Sequence, residues 1–384
     1  MKQKSLYSTI INFIKEGISE GRFQPNSQIP TEKELVELFK VSRPTVNRAL
    51  NELSLQGLIY RVPGKGSFVS SLDVFSTTRL PKNVISFIIP YDEYSISSSY
   101  ELEVMRGAES YTSEKGYFLS LHFSGQDAEK ERQLIKKCQD EGISGIILHP
   151  TAHVENTKTL AQVYIDNYPI VLIDRVPNGI PLTCVQSDNL FGGYEAARHL
   201  IECGYKQLYF VSHFPIHSAA SIRDRFMGFY KAIKENGMPF SDSQCITSFI
   251  PWIQKTAMPF EYSFNQNPDA FREIAIQIIN QSQDKTCGIF AINDEIAASI
   301  IKALNELKAD IPGQFGIVGF GGTGLMYKDI TTIKQNYFEI GRMAAKTVIA
   351  KINGKNIQSD TINIDVKLIV RETTLNLIKK QKEA

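Results

Sequence analysis

"QIPTEKELVELFKVSRPTVNRALNELSLQGLIYRVPGKGSFVSS", residues 28–71, holds two short helical patterns, a tight turn and a hairpin in one stretch. Thr31 followed by Glu34 is a capping box, so a helix is expected to begin near Thr31. Leu35 and Leu38 give it an apolar side, and Phe39 helps close the turn that follows. "FKVS" interrupts the pattern, and Ser42 suits the N-cap of a second helix. Pro44 is tolerated there because the first helical turn has no N–H partner to lose. Val46, Leu50 and Leu53 recur at i, i+4 and i+7 and make an inward stripe. Arg43, Thr45, Asn47, Arg48 and Asn51 fall on the other face. Gly57 is expected to stop this helix, "LIYRV" and "GSFVS" read as strands, and "PGKG" is the turn between them.

This order of elements is the layout of a winged helix-turn-helix, an α+β unit that inserts one helix into a DNA groove. Donors at the start of the second helix suit phosphate and base-edge contacts in a major groove. Lys65, carried on a tip between Gly64 and Gly66, can approach a phosphate or a minor groove closely. Any one of these polar residues alone reads equally well as a solvated helix face; the ordered arrangement selects the DNA-binding reading. Charge agrees: residues 1–72 carry ten Lys/Arg against six Glu, +4, which leaves −3 for the rest of a chain whose net charge is +1. A basic head on a slightly acidic body fits nucleic-acid binding through the head.

"PTEKELVELFKVSRPTVNRAL" and "GLIYRVPGKGSFV" closely resemble the GntR family of bacterial regulators. The resemblance implies a recognition helix beginning near Arg43, with Lys33, Ser42, Arg43, Thr45 and the wing from Gly64 to Gly66 as DNA contacts. Asn47 departs from the pattern, standing where many members carry arginine.

At 384 residues the chain is long enough for two or three compact units. Its 42% hydrophobic and 22% charged residues are those of an ordinary globular protein with a substantial core. Five scattered cysteines without metal-ligand spacing read as reduced thiols. "IINFIKEG" is too soon interrupted for a signal peptide, and no run approaches the ~18 apolar residues of a membrane span. A cytoplasmic location is therefore expected. There is no P-loop, and "GFGGTG" lacks the lysine of a phosphate loop. Neither an enzyme nor a cofactor or metal site is expected.

The head is placed at residues 1–72, a polar linker at 73–83 and the body at 84–384. Along the body short apolar runs alternate with amphipathic segments: "VISFIIP", "YFLSLHF", "GIILHP", "IVLIDR", "QLYFVS", "CGIFAIN" and "GIVGF" as strands, with helical patterns between them. Strands apolar on both faces indicate parallel sheets covered by helices, with ligands at the strand ends. The number of units calls for two lobes, at about 84–186 and 187–322, with the chain recrossing near Gly322–Asp329 and again near Asn353. "TTIKQ" and the helix after it should then return to the first lobe, and "INIDVKLIVRETT" should end on the second.

"VLIDR", "SDNLFGGYEAARHLIECGY", "RDRFMGF", "IFAINDEIA", "GIVGFGG", "TTIKQNYFEIGRMAAK" and "LIVRETT" follow one another as in LacI-type effector domains and related ribose-binding proteins. A GntR-type head on such a body resembles the AraR-type arabinose repressors. The resemblance implies a two-lobed periplasmic-binding-protein-like fold, homodimers on operator DNA, and release by a small effector such as L-arabinose or a 6-deoxyhexose. Carried across by motif, Tyr100, Asp174, Arg175, Arg225, Asn293 and Gln335 would hold it, through paired hydrogen bonds to hydroxyls and an aromatic face. Each has a structural alternative. Asp174 and Arg175 would form an ion pair at a strand end, Arg225 would pair with Asp224 or Asp188, and Asn293 would only cap a helix; His149 reads as structural. Relatives often carry an acidic residue after "GF", where this chain has Gly321 and Gly322.

Overall fold

The computed structural model describes residues 6–55, 58–62, 65–70, 83–90, 99–125, 127–151, 156–175, 179–247, 268–322, 328–355, 357 and 361–378. The chain forms two compact units, Met1–Lys82 and Asn83–Ala384. In the first unit α1 (Leu6–Ser19), α2 (Glu32–Phe39) and α3 (Arg43–Leu55) precede an antiparallel hairpin of β1 (Ile59–Val62) and β2 (Gly66–Val69). The Thr31 side chain caps Glu34 N–H while the Glu34 carboxylate accepts from the Thr31 backbone, so α2 starts where the capping box places it. Val46, Leu50 and Leu53 are fully buried, joined by Leu35 and by Ile10 and Ile14 of α1. Leu38, assigned above to the apolar side, is instead 57% exposed. The helix-ending role assigned to Gly57 lies outside the described residues.

Among the described residues the second unit holds two six-stranded sheets. The first, in the order β13-β7-β6-β5-β3-β4, is all parallel: β3 (Val84–Ile89), β4 (Phe118–Phe123), β5 (Gly145–Leu148), β6 (Ile170–Ile173), β7 (Cys184–Ser187) and β13 (Thr361–Ile364). The second, in the order β14-β12-β11-β10-β8-β9, comprises β8 (Gln207–Ser212), β9 (Cys245–Thr247), β10 (Cys287–Ala291), β11 (Phe315–Gly321), β12 (Thr331–Lys334) and β14 (Lys367–Ile369). Only β14 runs antiparallel to its neighbour. β3, β5, β6, β7, β10 and β11 are buried at every position, as strands covered on both faces must be.

The covering helices are α4 (Ser99–Glu114), α5 (Ala128–Asp140), α6 (Thr157–Ile165), α7 (Asn189–Glu202), α8 (Ala220–Glu235), α9 (Pro268–Ser282), α10 (Asp294–Glu306) and α11 (Tyr337–Ile352). Two of the expected crossings move. "TTIK" is β12 of the second sheet, so the chain recrosses at Gln335–Asn336 rather than before it, and α11 packs into the first core. "TINI" is β13 beside β7, so the last crossing falls between β13 and β14 and not near Asn353. The physical reason is edge pairing: β11 and β7 each offer an open side that the nearest returning segment fills.

Candidate functional site

The polar residues singled out in the sequence fall in both units, and in the body contacts join Tyr100, Tyr337 and Gln335 but not Arg175 or Asn293 to them. In the head, Ser42 just before α3 is exposed, as are Arg43 and Arg48 on it, with Thr45 and Asn47 half-buried beside them, and Lys33 is exposed in the first turn of α2. The Ser42 hydroxyl meets the Thr45 hydroxyl at 2.8 Å, which orders the start of the helix. Arg48 stacks its guanidinium 5.1 Å from the ring centre of Tyr7 on α1, a partner that the motif did not reveal. Lys65 is exposed at the hairpin tip, and its carbonyl accepts from Gln28 Nε2 at 3.0 Å. Gly66 lies at φ 113°, a backbone region that side chains rarely enter, and a Cβ there would lie 2.6 Å from Gln28 Nε2. Gly64 is outside the described residues.

In the body the candidates come from strand ends and helix starts of both lobes. Asp174 follows β6 in a left-handed conformation, φ 62°, with its backbone N–H bonded to Val185 O at 3.0 Å. Its carboxylate lies 3.7 Å from His149 Nε2. Burial holds that imidazole down at about 4, aided by the nearby Arg175 charge and opposed by Asp174, so it is neutral at neutral pH. The alternative Asp174–Arg175 ion pair is not the one formed: Arg175 donates to the Pro150 carbonyl at 3.2 Å, and Asp174 faces His149.

Arg225, on α8, is 8% exposed. It donates to Asn189 Oδ1 at 2.8 Å and to the Ile292 carbonyl at 2.7 Å, with its guanidinium carbon 3.7 Å from the centre of the Phe320 ring. Neither alternative partner is used, because Asp224 pairs with Arg223 and Asp188 caps α7 at Phe191 N–H. Burial pulls the Arg225 pKa down, and the charges of Asp174, Tyr337 and Asp294 pull it back up. Glycines set its position. A Cβ on Gly193 of α7 would come within 2.0 Å of the Arg225 carbonyl oxygen, and one on Gly228 within 1.9 Å of Leu190 O.

Asn293 caps α10 through a 2.8 Å bond from Ile296 N–H, so the capping alternative is realised. Gln335 accepts from the Ser187 hydroxyl at 2.7 Å and donates to the Tyr337 hydroxyl. Since Ser187 ends β7 and Gln335 follows β12, this amide ties together segments from the two lobes. Tyr100 tilts against Tyr337, ring centres 5.1 Å apart. Tyr100, Tyr337 and Gln335 thus lie in one chain of contacts, and Arg225, Asp174 and Asp294 act electrostatically on the same Tyr337 hydroxyl.

Asp294 was missed from the sequence because "ND" reads as a helix start. It is 4% exposed and accepts from Gly322 N–H at 2.6 Å and Thr332 Oγ1 at 2.6 Å. Burial raises its pKa, against both hydrogen bonds. A Cβ at Gly321 would stand 2.9 Å from Asp294 Oδ2 and 3.7 Å from the Tyr337 hydroxyl. The carboxylate absent from position 321 therefore has a neighbour of the same chemistry bordering the space that it would occupy. Among the described residues no His, Cys, Asp and Glu cluster could hold a metal ion. None of the described helices is long and apolar enough to cross a membrane.

Residues 6–69 match the gntR family of bacterial regulatory proteins, and residues 197–374 match the periplasmic binding protein-like domain. The chain is 27% identical to an arabinose metabolism transcriptional repressor of Geobacillus stearothermophilus, over 97% of this chain and 99% of that one. Among solved structures, the complex of transcriptional regulator CelR with cellobiose superposes with a TM-score of 0.62 at 18% identity, covering 87% of this chain and 91% of that one. A periplasmic binding protein/LacI transcriptional regulator from Alkaliphilus metalliredigens, complexed with D-xylulofuranose, gives 0.58 at 25% identity over 76% of this chain and 99% of that one.

Proposed function

We propose that this chain, which joins a GntR-family winged helix-turn-helix to a periplasmic-binding-protein-like body, is a transcriptional repressor released from its operator by a small sugar. One observation carries the reading: the similarity to an arabinose metabolism repressor runs through head and body alike, over 97% of the chain. Lys33, Ser42, Arg43, Thr45, Asn47, Arg48, Lys65 and the glycines at 64 and 66 contact DNA; Tyr100, Asp174, Arg175, Arg225, Asn293 and Gln335 serve the effector. In this division of labour Arg225 and Asp174 bond hydroxyls directly, Tyr100 offers a ring face, and Arg175, Asn293 and Gln335 hold the walls in place. A pentose such as L-arabinose, or a 6-deoxyhexose, suits a space bordered by a carboxylate, a guanidinium and phenol rings. The protein acts in the cytoplasm as a homodimer whose two heads grip half-sites spaced by the helical repeat.

The test is fluorescence anisotropy of the full chain on duplex DNA from its own promoter region, titrated with a panel of monosaccharides. Sequence-selective binding that one sugar abolishes is the expected result. Indifference of the complex to every sugar would remove the switching claim, and absence of DNA binding at low salt would remove the whole reading.

A further inference from the structure

The head contains a polar cluster that the motif residues alone do not reveal. Arg61, on β1, reaches across to the recognition helix α3. Its Nη1 donates to Asn51 Oδ1 at 2.6 Å and its Nη2 to Asn47 Oδ1 at 3.0 Å, and Nη2 also bonds Glu32 Oε1 at the start of α2. The second oxygen of Glu32 accepts from Arg43 Nε at 3.1 Å and lies 3.4 Å from Asn47 Nδ2. The Glu32 carboxylate is thus shared by two guanidiniums, which neutralise it where an unpaired anion would repel DNA. Asn47 and Asn51 stand one turn apart on α3, on the polar face opposite the buried stripe of Val46, Leu50 and Leu53.

We propose that Arg61 sets the base preference of this head. An asparagine reads adenine by donating to N7 and accepting from the N6 amino group, which requires its carbonyl oxygen. Here Arg61 occupies the carbonyl oxygens of both asparagines at once, a two-pronged contact that suits a planar guanidinium and not an ammonium. What remains for the groove is donors: the Asn51 amide NH2, the second Asn47 amide hydrogen beside the one given to Glu32, and the unused guanidinium hydrogens. Such a face matches guanine, whose major-groove edge presents the N7 and O6 acceptors, better than adenine. Arg61 also brings a guanidinium from the wing to the side of Asn47, the position where many relatives carry arginine on the helix. The proposal rests on the DNA-binding reading of the head and adds to it which bases are chosen and by which residue.

The experiment is selection from a pool of randomised duplexes by the full chain, followed by sequencing, for the native protein, Arg61→Ala and Arg61→Lys. The native chain is expected to enrich guanine at the half-site position facing Asn47 and Asn51. Arg61→Ala frees both carbonyl oxygens, so guanine preference there should fall by about tenfold with adenine rising. Arg61→Lys keeps the charge without the fork and should lose the same preference while binding DNA with nearly native salt dependence. If Arg61→Ala fails to fold by thermal unfolding, the lysine variant decides the question. An unchanged consensus in a folded variant overturns the proposal alone. A native chain that enriches no sequence overturns the regulator reading and this proposal with it.

Discussion

Gly193 and Gly228 lie where α7 and α8 cross, and their missing side chains let the two backbones touch beside Arg225. Gly193→Ala would drive a methyl to 2.0 Å from the Arg225 carbonyl oxygen, so the helices must separate. Overpacking of this kind costs on the order of 1–3 kcal/mol, which denaturant unfolding would show. Effector affinity should fall too, because the Arg225 guanidinium moves away from Asn189 and Ile292. Buried His149 sets a pH response of definite sign. Its pKa is about 4 when folded against an ordinary 6.5, so between these values the unfolded chain takes up a proton that the folded imidazole refuses. Its contribution is intact above about pH 6.5 and declines as the pH falls toward 4, by about 3 kcal/mol in full. Burial of Glu131 and Asp294 raises their pKa values, so their effect has the opposite sign and eases on acidification. Between pH 7 and pH 4 the melting temperature of His149→Gln should therefore fall less than that of the native chain, as thermal unfolding would show.

At the scale of elements, local chemistry sets where α2 begins. Thr31→Ala removes the oxygen that caps Glu34 N–H and the partner of the Glu34 carboxylate, and should destabilise the head by about 1 kcal/mol, read as a lower melting temperature of the full chain. The two helices of the helix-turn-helix, the hairpin and most body strands were legible in this way, from caps, the i, i+4, i+7 stripe and doubly apolar runs. The crossings were not. "TTIK" and "TINI" are short segments with little periodicity, and nothing local distinguishes pairing with β11 from pairing with β7. α1 was likewise passed over. Its Ile10 and Ile14 take meaning only against Leu35, Val46 and Leu50, which lie tens of residues later in the chain.

For the whole molecule, the proposed release by a sugar would be a linkage between two sites on one chain. If a sugar weakens operator binding tenfold, operator DNA must weaken sugar binding tenfold, a coupling of about 1.4 kcal/mol. Isothermal titration of the effector with and without saturating operator checks this equality; an effector affinity unaffected by DNA would contradict release by that sugar. The Gln335 amide, bonded to Ser187 and Tyr337, joins segments of the two lobes.

Residue types and their spacing were enough to mark a winged helix-turn-helix head and a body of two parallel-sheet lobes, since each follows from contacts within a few residues or from a repeated motif. Folding in three dimensions decided the rest: that Arg175 turns to a carbonyl and Asp174 to a histidine, that Asp294 borders the space left at Gly321, and that Arg61 bridges two asparagines. Those pairings join residues far apart along the chain, and their geometry exists only once β-strand order and helix crossings have brought the side chains within hydrogen-bonding reach.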